Sequence, residues 1–204
     1  VVGWGNGQSS ASPANATNVV AIAAGEVHSL ALRGDGRVVG WGGNTYGQID
    51  PAGQNFILDG GFELGLTAGP GTFTRRATFG SWTVTAGTVA LLGMPYSGLP
   101  PYKGMEAMHI GDAFAAGAIR QSFATTIGEK YYLSLAVIGY AGGGGTVRAT
   151  VNGVTVGDFV APGGNVWGTN TYEFVATSAL STLQLQNTAV VGACTINDVR
   201  VTLT

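Results

Sequence analysis

The stretch TVRATVNGVTVGDFV, residues Thr146–Val160, decides the fold of the larger part of the chain. Two valine-rich runs flank Asn152-Gly153, and Asn-Gly is the dipeptide that best tolerates the two left-handed residues of a type I′ hairpin turn. Short β-branched runs bounded by turn residues are typical of strands. The stretch therefore predicts an antiparallel hairpin with strands at Thr146–Val151 and Val154–Val160.

The sequence on both sides of this hairpin continues the pattern of short strands broken by glycine-rich turns. The chain contains 35 glycines and 7 prolines, and each interior glycine costs a helix about 1 kcal/mol relative to alanine. Many short strands with no helical periodicity predict an all-β fold, an antiparallel β-sandwich. The other strands expected in this part are Asn55–Leu58, Thr88–Leu92, Met105–Ile110, Ala118–Phe123, Tyr131–Tyr140, Thr171–Ala176, Thr182–Gln186 and Thr195–Leu203.

Composition narrows the possible partners. Charged residues make up only 10% of the chain and hydrophobic ones 45%, which excludes a disordered protein. A net charge of −2 leaves no basic surface for a nucleic acid, and no apolar run approaches the ~20 residues of a membrane span. Low charge with abundant Thr, Ser, Asn and Gly resembles secreted bacterial surface proteins, so we expect an extracellular or cell-surface location. Cys194 is the single cysteine, which excludes an internal disulfide.

The first fifty residues contain an internal repeat. The pentapeptide VVGWG at Val1–Gly5 returns at Val38–Gly42, which indicates a repeat array. Strands are expected at Val19–Ala24, His28–Leu32 and Arg37–Trp41, the last two joined by the Gly34-Asp35-Gly36 turn. The segment resembles the regulator of chromosome condensation repeat, a blade of a β-propeller, at Gly25, His28, Leu30, Ala31, Leu32, Gly36, Trp41, Gly42, Asn44, Tyr46, Gly47 and Gln48.

A single repeat of this kind leaves apolar strands uncovered. Closed propellers use about 4–8 blades, and repeats bury their apolar faces against neighbouring repeats. We therefore expect residues 1–54 to be a partial propeller-type repeat, either a piece of a longer array or covered by the second domain or another copy. Exposed strand edges also favour strand addition between copies, so a homo-oligomer or filament is one expectation. His28 is expected to be structural.

Four motifs lie in order along residues 55–204. They are NFILDGGFE (Asn55–Glu63), Trp82 in GSWTV, AIRQSFATTIGEKYYLSLAVIG (Ala118–Gly139) and ACTINDVRVTL (Ala193–Leu203). With these motifs the segment resembles a second family, the calcium-containing jelly-roll carbohydrate-binding modules with a galactose-binding-like fold. The resemblance implies a jelly-roll sandwich, a glycan or polysaccharide ligand and a structural calcium ion.

The same resemblance implies that Glu63 and Asp198 are calcium ligands. Calcium takes six to eight oxygen ligands, and an ion between these residues would tie the first and last strands together. The sequence departs from the family at Asp59, where the family has asparagine, and at Asn197, where it has aspartate. The alternative is that both carboxylates are surface or turn-capping residues.

Aromatic side chains are the expected glycan contacts, because sugar C–H faces stack on flat rings while a few polar groups bind the hydroxyls. The loop MPYSGLPPYKG, Met94–Gly104, is proline-rich and places a tyrosine on each side of its GLPP turn. The alternative is that the rings are core or rim packing, which we expect for Trp82. The candidate glycan-binding residues are Tyr96, Tyr102, Tyr140, Trp167 and Gln121, with Tyr172 as a further aromatic candidate and Arg120 and Asn187 as further polar candidates.

Catalytic patterns are missing from the sequence. Glycoside cleavage needs two carboxyl groups about 5–10 Å apart, but MEAMHIGD places His109 between Glu106 and Asp112. A nucleophile elbow, a zinc-protease motif and a dinucleotide fingerprint are all absent from the sequence. We therefore predict a non-catalytic module that binds glycans, and the alternative is a self-assembling surface or filament subunit that uses its N-terminal strands for pairing.

Overall fold

Every regular element in the described part of the chain is a β-strand, and the described strand pairs are antiparallel. The predicted all-β class is confirmed. None of the described residues form a helix with the length and apolarity needed to cross a membrane. The computed structural model describes residues 12–13, 16–34, 38–43, 55–63, 69–111, 116–139, 144–188 and 193–203.

The chain divides into two compact units, Val1–Asn55 with Thr202–Thr204, and Phe56–Val201. The first unit contains a three-stranded antiparallel sheet in the order β1-β2-β3. The predicted strands are found here within one residue at each end, whereas residues 35–37 of the predicted Gly-Asp-Gly turn lie outside the described part. The strands are β1 (Val19–Ala24), β2 (His28–Arg33) and β3 (Val38–Gly42).

One face of this sheet is apolar across all three strands. Ile22 of β1 pairs with Ala31 of β2, which pairs with Val39 of β3. Ala31 and Val39 are buried, but Ile22 is 71% exposed and its strand neighbour Val20 is 64% exposed. The apolar face is therefore covered over β2 and β3 and open over β1.

The second unit contains two six-stranded sheets. Sheet I has the order β13-β10-β15-β8-β7-β4, and sheet II has the order β12-β11-β14-β9-β6-β5. The strands are β4 (Phe73–Arg75), β5 (Thr78–Phe79), β6 (Trp82–Ala86), β7 (Val89–Gly93), β8 (Glu106–Ile110), β9 (Ala118–Ala124), β10 (Lys130–Gly139), β11 (Thr146–Val151), β12 (Val154–Val160), β13 (Gly168–Val175), β14 (Leu180–Asn187) and β15 (Cys194–Leu203).

Alternation of side chains along the strands builds the core. In β9 the side chains alternate strictly after Ala118, with Ile119, Gln121 and Phe123 buried and Arg120 and Ser122 exposed. Sheet I contributes the fully enclosed cross-strand row Leu91, Met108 and Ile196. The period of two that predicted a sandwich therefore reflects one face of each sheet packed inward.

The predicted Asn-Gly hairpin is present between β11 and β12. Asn152 has φ of +51° and Gly153 has φ of +82°, the left-handed pair that a type I′ turn needs. Further along β12, the ring of Tyr172 from sheet I lies so close to Gly157 that a Cβ there would overlap it. The glycine thus lets Tyr172 pack across the edge between the two sheets.

The predicted strand Asn55–Leu58 is wrong, because this segment is a turn. The N–H of Leu58 donates to Gln121 Oε1 over 2.7 Å, and Gln121 Nε2 donates to the carbonyl of Leu58 over 2.9 Å. The side-chain amide of Gln121 thereby forms the two hydrogen bonds that the backbone of a neighbouring strand would otherwise form. Three short strands, β4 to β6, were not predicted, because they lie among turn residues and have at most five residues each.

Candidate functional site

The loop between β7 and β8 folds back over the outer face of sheet I. Leu91 and Met108 point into the core, so Leu92 and Ala107, which pair with each other, point outward. Loop residues Met94 and Leu99 cover this outer row and are each 1% exposed. Ile138 of β10 completes the buried cluster beneath the loop.

A tight turn holds the loop in place. The N–H of Leu99 donates to the carbonyl of Tyr96 over 2.8 Å, and Ser97 and Gly98 between them have φ of +46° and +83°. The loop is closed at its base by the N–H of Met94, which donates to the carbonyl of Met105 over 2.7 Å. The residues after the turn are therefore presented to solvent on a fixed backbone.

Two predicted glycan contacts meet on this loop. The ring centroids of Tyr102 and Trp167 are 5.4 Å apart, and the ring planes are inclined by 47°. Trp167 Nε1 donates to the carbonyl of Pro100 over 2.9 Å, and its ring packs against the buried cluster. Tyr102 is 36% exposed. Contacts with the loop and the buried cluster therefore hold this aromatic pair in place, and the Tyr102 ring remains exposed to solvent.

Charged side chains border the aromatic pair. Lys103 Nζ lies 6.0 Å from the centroid of the Tyr102 ring and 2.7 Å from Asp198 Oδ2. Arg200 Nε donates to the other oxygen of Asp198 over 2.9 Å. Sequence reasoning missed this ionic network, because residues 103 and 198 lie far apart in the chain.

Tyr96 lies beside the same buried cluster and belongs to a second aromatic pair. Its ring meets that of Phe73 edge to face, with centroids 6.3 Å apart. Phe73 is 50% exposed, and the guanidinium carbon of Arg75 lies 5.1 Å from the centre of its ring. Tyr96 therefore has more of the character of a packing residue than Tyr102 has.

The remaining predicted contacts do not join this surface. Gln121 is 4% exposed and both ends of its amide bind the backbone of Leu58, so we assign it a structural role as a correction to its predicted glycan contact. Asn187 is completely buried and donates to the carbonyl of Ile110. Tyr140 lies outside the described residues.

The two predicted calcium ligands both reach the segment of residues 103–106. Glu63 Oε1 accepts the N–H groups of Met105 and Glu106 over 2.8 and 2.9 Å. Gly104, with φ of +67°, leaves the space that the Glu63 carboxylate occupies. Asp198 is instead neutralised by Lys103 and Arg200, as described above. The structure thus links the two carboxylates through one segment and gives them different partners.

Two buried polar side chains, Glu106 and Asn197, lie in this segment and on the adjoining strand β15. Asn197 Nδ2 donates to the carbonyls of Lys103 and Glu106 over 3.2 and 2.6 Å, which fixes the orientation of the amide. Asn197 Oδ1 is buried and finds no hydrogen-bond partner among the described residues. Glu106 is only 4% exposed. The oxygens of Glu63, Glu106 and Asn197 are of the types that a hard cation prefers, whereas the carboxylate of Asp198 is already paired with Lys103 and Arg200. The described residues contain no group of three or more His, Cys, Asp or Glu side chains that could hold a metal.

The resolved pKa shifts lie away from the aromatic pair. Burial raises the pKa of the Cys194 thiol to about 12, so the thiol stays protonated at neutral pH and is a poor nucleophile. The hydrogen bond from Arg148 lowers the pKa of the exposed Asp158, and the one from Lys130 lowers that of Glu173. These are ion pairs on strand surfaces.

The chain is similar to a known repeat family and to solved structures of other proteins. Residues 19–48 match the family model described as the regulator of chromosome condensation (RCC1) repeat. No curated protein matches the chain. The solved structure of TmCBM61 in complex with β-1,4-galactotriose is similar with a TM-score of 0.55 and 13% sequence identity, covering 74% of this chain and 99% of that one.

Two other solved structures are similar at lower scores. One is the bacteriophage CBA120 tailspike protein 4 enzymatically active domain, with a TM-score of 0.49, 14% identity, and coverage of 74% of this chain and 21% of that one. The other is the CBM22-1 xylan-binding domain from Paenibacillus barcinonensis Xyn10C, with a TM-score of 0.44, 18% identity, and coverage of 70% and 90%. The chain thus carries a segment similar to the RCC1 repeat and a jelly-roll β-sandwich with the fold of carbohydrate-binding modules.

Proposed function

We propose that this protein binds glycans without cleaving them, through the Tyr102–Trp167 pair on the outer face of sheet I. The observation that carries the proposal is the fixed, solvent-facing ring pair with ion-paired polar groups beside it. Aromatic rings stack on sugar C–H faces, and polar groups next to them supply hydrogen bonds to hydroxyls. The jelly-roll fold shared with a galactotriose-binding module supports this function. A glycan ligand fits a protein that is located in the extracellular space or at the cell surface.

Affinity electrophoresis of the full chain tests this function. Native gels containing galactan, xylan, mixed-linkage β-glucan, mannan or pectin should retard the protein in at least one case, because a bound polymer slows migration. Bovine serum albumin in the same gels controls for sieving by the polymer. Unchanged mobility in every polysaccharide would count against glycan binding.

We also propose a structural calcium ion held by Glu63, Glu106 and Asn197. An ion there would satisfy the buried Asn197 oxygen and offset the charge of the Glu106 carboxyl. When bound, it would tie the start of the domain and β15 to the loop that carries Tyr102.

Calcium is expected to raise the melting temperature of the sandwich, because a ligand that binds only the folded state stabilises it. The measurement is differential scanning calorimetry with calcium at about 10 mM, roughly ten times the weakest extracellular-type dissociation constant, and with excess EDTA. Glu63→Gln should reduce the difference between the two melts. Equal melting temperatures with calcium and with EDTA would contradict the proposal.

Self-association is the second candidate function, and the open apolar face of β1 favours it. Ile22 and Val20 are exposed on an edge strand, and such edges pair readily with other chains. Sedimentation velocity should show association that rises with protein concentration and is lost in Ile22→Lys. Val154→Lys is a matched control, since Val154 is 70% exposed on another edge strand, β12. A monomer at all concentrations would rule this function out.

A further inference from the structure

The inclination of the two rings constrains the kind of glycan that can bind, if the proposed function holds. The planes of Tyr102 and Trp167 meet at 47° with centroids 5.4 Å apart. A flat crystalline polysaccharide needs coplanar rings, because each ring must lie parallel to the same surface to stack on it. Inclined rings at this spacing instead form the two sides of a shallow cradle.

The ion-paired side chains of Lys103, Asp198 and Arg200 border the cradle on the side of β15. The Nζ of Lys103, whose side chain is 54% exposed, lies 6.0 Å from the centre of the Tyr102 ring and 2.7 Å from Asp198 Oδ2. Asp198 is placed by a left-handed backbone turn, with φ of +51°, and its side chain remains 20% exposed. Ionised groups that hold each other in position make strong, directional hydrogen bonds to hydroxyl groups. The network is therefore suited to recognise the hydroxyls of a sugar stacked on Tyr102.

Besides the cradle, the outer face of sheet I carries further exposed rings among the described residues, Phe73 on β4 and Tyr132 on β10. Tyr132 points to the same face, because it is six residues from Ile138 on β10 and side chains alternate along a strand. Six residues of strand correspond to about 20 Å. Tyr132 is 37% exposed, almost the same as Tyr102. A long chain running along β10 would reach Tyr132, whereas a short ligand in the cradle would not.

We propose that Tyr102, Trp167 and the Lys103–Asp198–Arg200 network form a closed-ended subsite for a short soluble glycan segment or an exposed chain end. The two rings carry one or two adjacent sugar units, and the ionic network selects them by their hydroxyl groups. Crystalline polysaccharide surfaces are excluded as ligands, and Lys103 is a specificity-determining residue of the site.

Isothermal titration calorimetry of the full chain tests the length of the ligand. The probes are β-1,4-linked galacto-, xylo-, gluco- and manno-oligosaccharides from the monosaccharide to the hexasaccharide, and microcrystalline cellulose is tested by pull-down. The affinity for one series should rise and then level off after about two or three units, since the cradle has two rings. Crystalline cellulose should leave the protein in the supernatant.

Two pairs of variants locate the subsite. Lys103→Met should weaken binding of the best oligosaccharide about tenfold, the loss of one charge-assisted contact. Lys130→Met is the matched control, since Lys130 is also ion-paired and its side chain is 51% exposed. Tyr102→Ala should weaken binding about tenfold, because one of the two stacking rings is lost, and Tyr132→Ala should leave it unchanged.

The outcomes separate this subsite from the general function. Affinity that keeps rising to six units, loss of binding in Tyr132→Ala, or full affinity in Lys103→Met would overturn the subsite and leave glycan binding intact. Retention on crystalline cellulose would do the same. Failure of every oligosaccharide and every polysaccharide to bind would overturn both.

Discussion

Replacing Trp167 with alanine is expected to lower the affinity for the bound polysaccharide about thirtyfold, equivalent to about 2 kcal/mol. The ring forms one side of the cradle, and its Nε1 donates to the carbonyl of Pro100. Alanine therefore removes a stacking surface and also releases the loop that presents Tyr102. Affinity electrophoresis at several polysaccharide concentrations gives the dissociation constants of both proteins.

Two further variants separate stacking from loop support. Trp167→Phe keeps a smaller aromatic ring and loses the hydrogen bond to Pro100, so its affinity should fall between those of the native protein and the alanine variant. Tyr132→Ala removes a comparably exposed tyrosine from the same face and should bind as the native protein does. Native affinity in Trp167→Ala would show that the glycan binds elsewhere.

Replacing Trp82 with alanine is expected to lower the free energy of unfolding of the sandwich by about 3–5 kcal/mol. Trp82 is completely buried, its ring centroid lies 5.7 Å from that of Phe62, and its Nε1 donates to the carbonyl of Asp59 over 3.1 Å. Asp59 and Phe62 both have positive φ, at +54° and +65°. The ring therefore supports an unusual turn that leads directly into Glu63.

Urea unfolding followed by far-ultraviolet circular dichroism measures this loss. Trp82→Phe retains most of the packing and should lose about 1–2 kcal/mol, and Tyr132→Ala should stay within about 0.5 kcal/mol of the native protein. A loss below about 1 kcal/mol in Trp82→Ala would mean that the turn from Asp59 to Phe62 does not depend on this ring.

Local sequence signals predicted the strands that have strong alternation. The run from Ala118 to Phe123 alternates between buried and exposed residues after its first position. Asn152-Gly153 determines the turn between β11 and β12 by backbone conformation alone. Both properties depend on residues that are close in sequence. The turn at Asn55–Leu58 was predicted as a strand, because its side-chain partner, Gln121, lies 63 residues away.

The candidate site was predictable only in part for the same reason. The proline-rich loop and its tyrosines stand out in the sequence, and the structure brings Tyr102 together with Trp167. The Lys103–Asp198 pair joins residues 95 positions apart, and no local pattern reports it. Gln121 was predicted to be a polar glycan contact, because the sequence alone does not show which face of β9 packs inward.

The indole N–H signals in a ¹H–¹⁵N NMR spectrum test the central claim most directly. The signal of Trp167, assigned by its absence in Trp167→Phe, should shift progressively as the bound oligosaccharide is added. The signal of buried Trp82 should stay in place, because its Nε1 is held inside the domain by Asp59. Saturable binding that leaves the Trp167 signal unmoved would contradict the assignment of the glycan site to this ring pair.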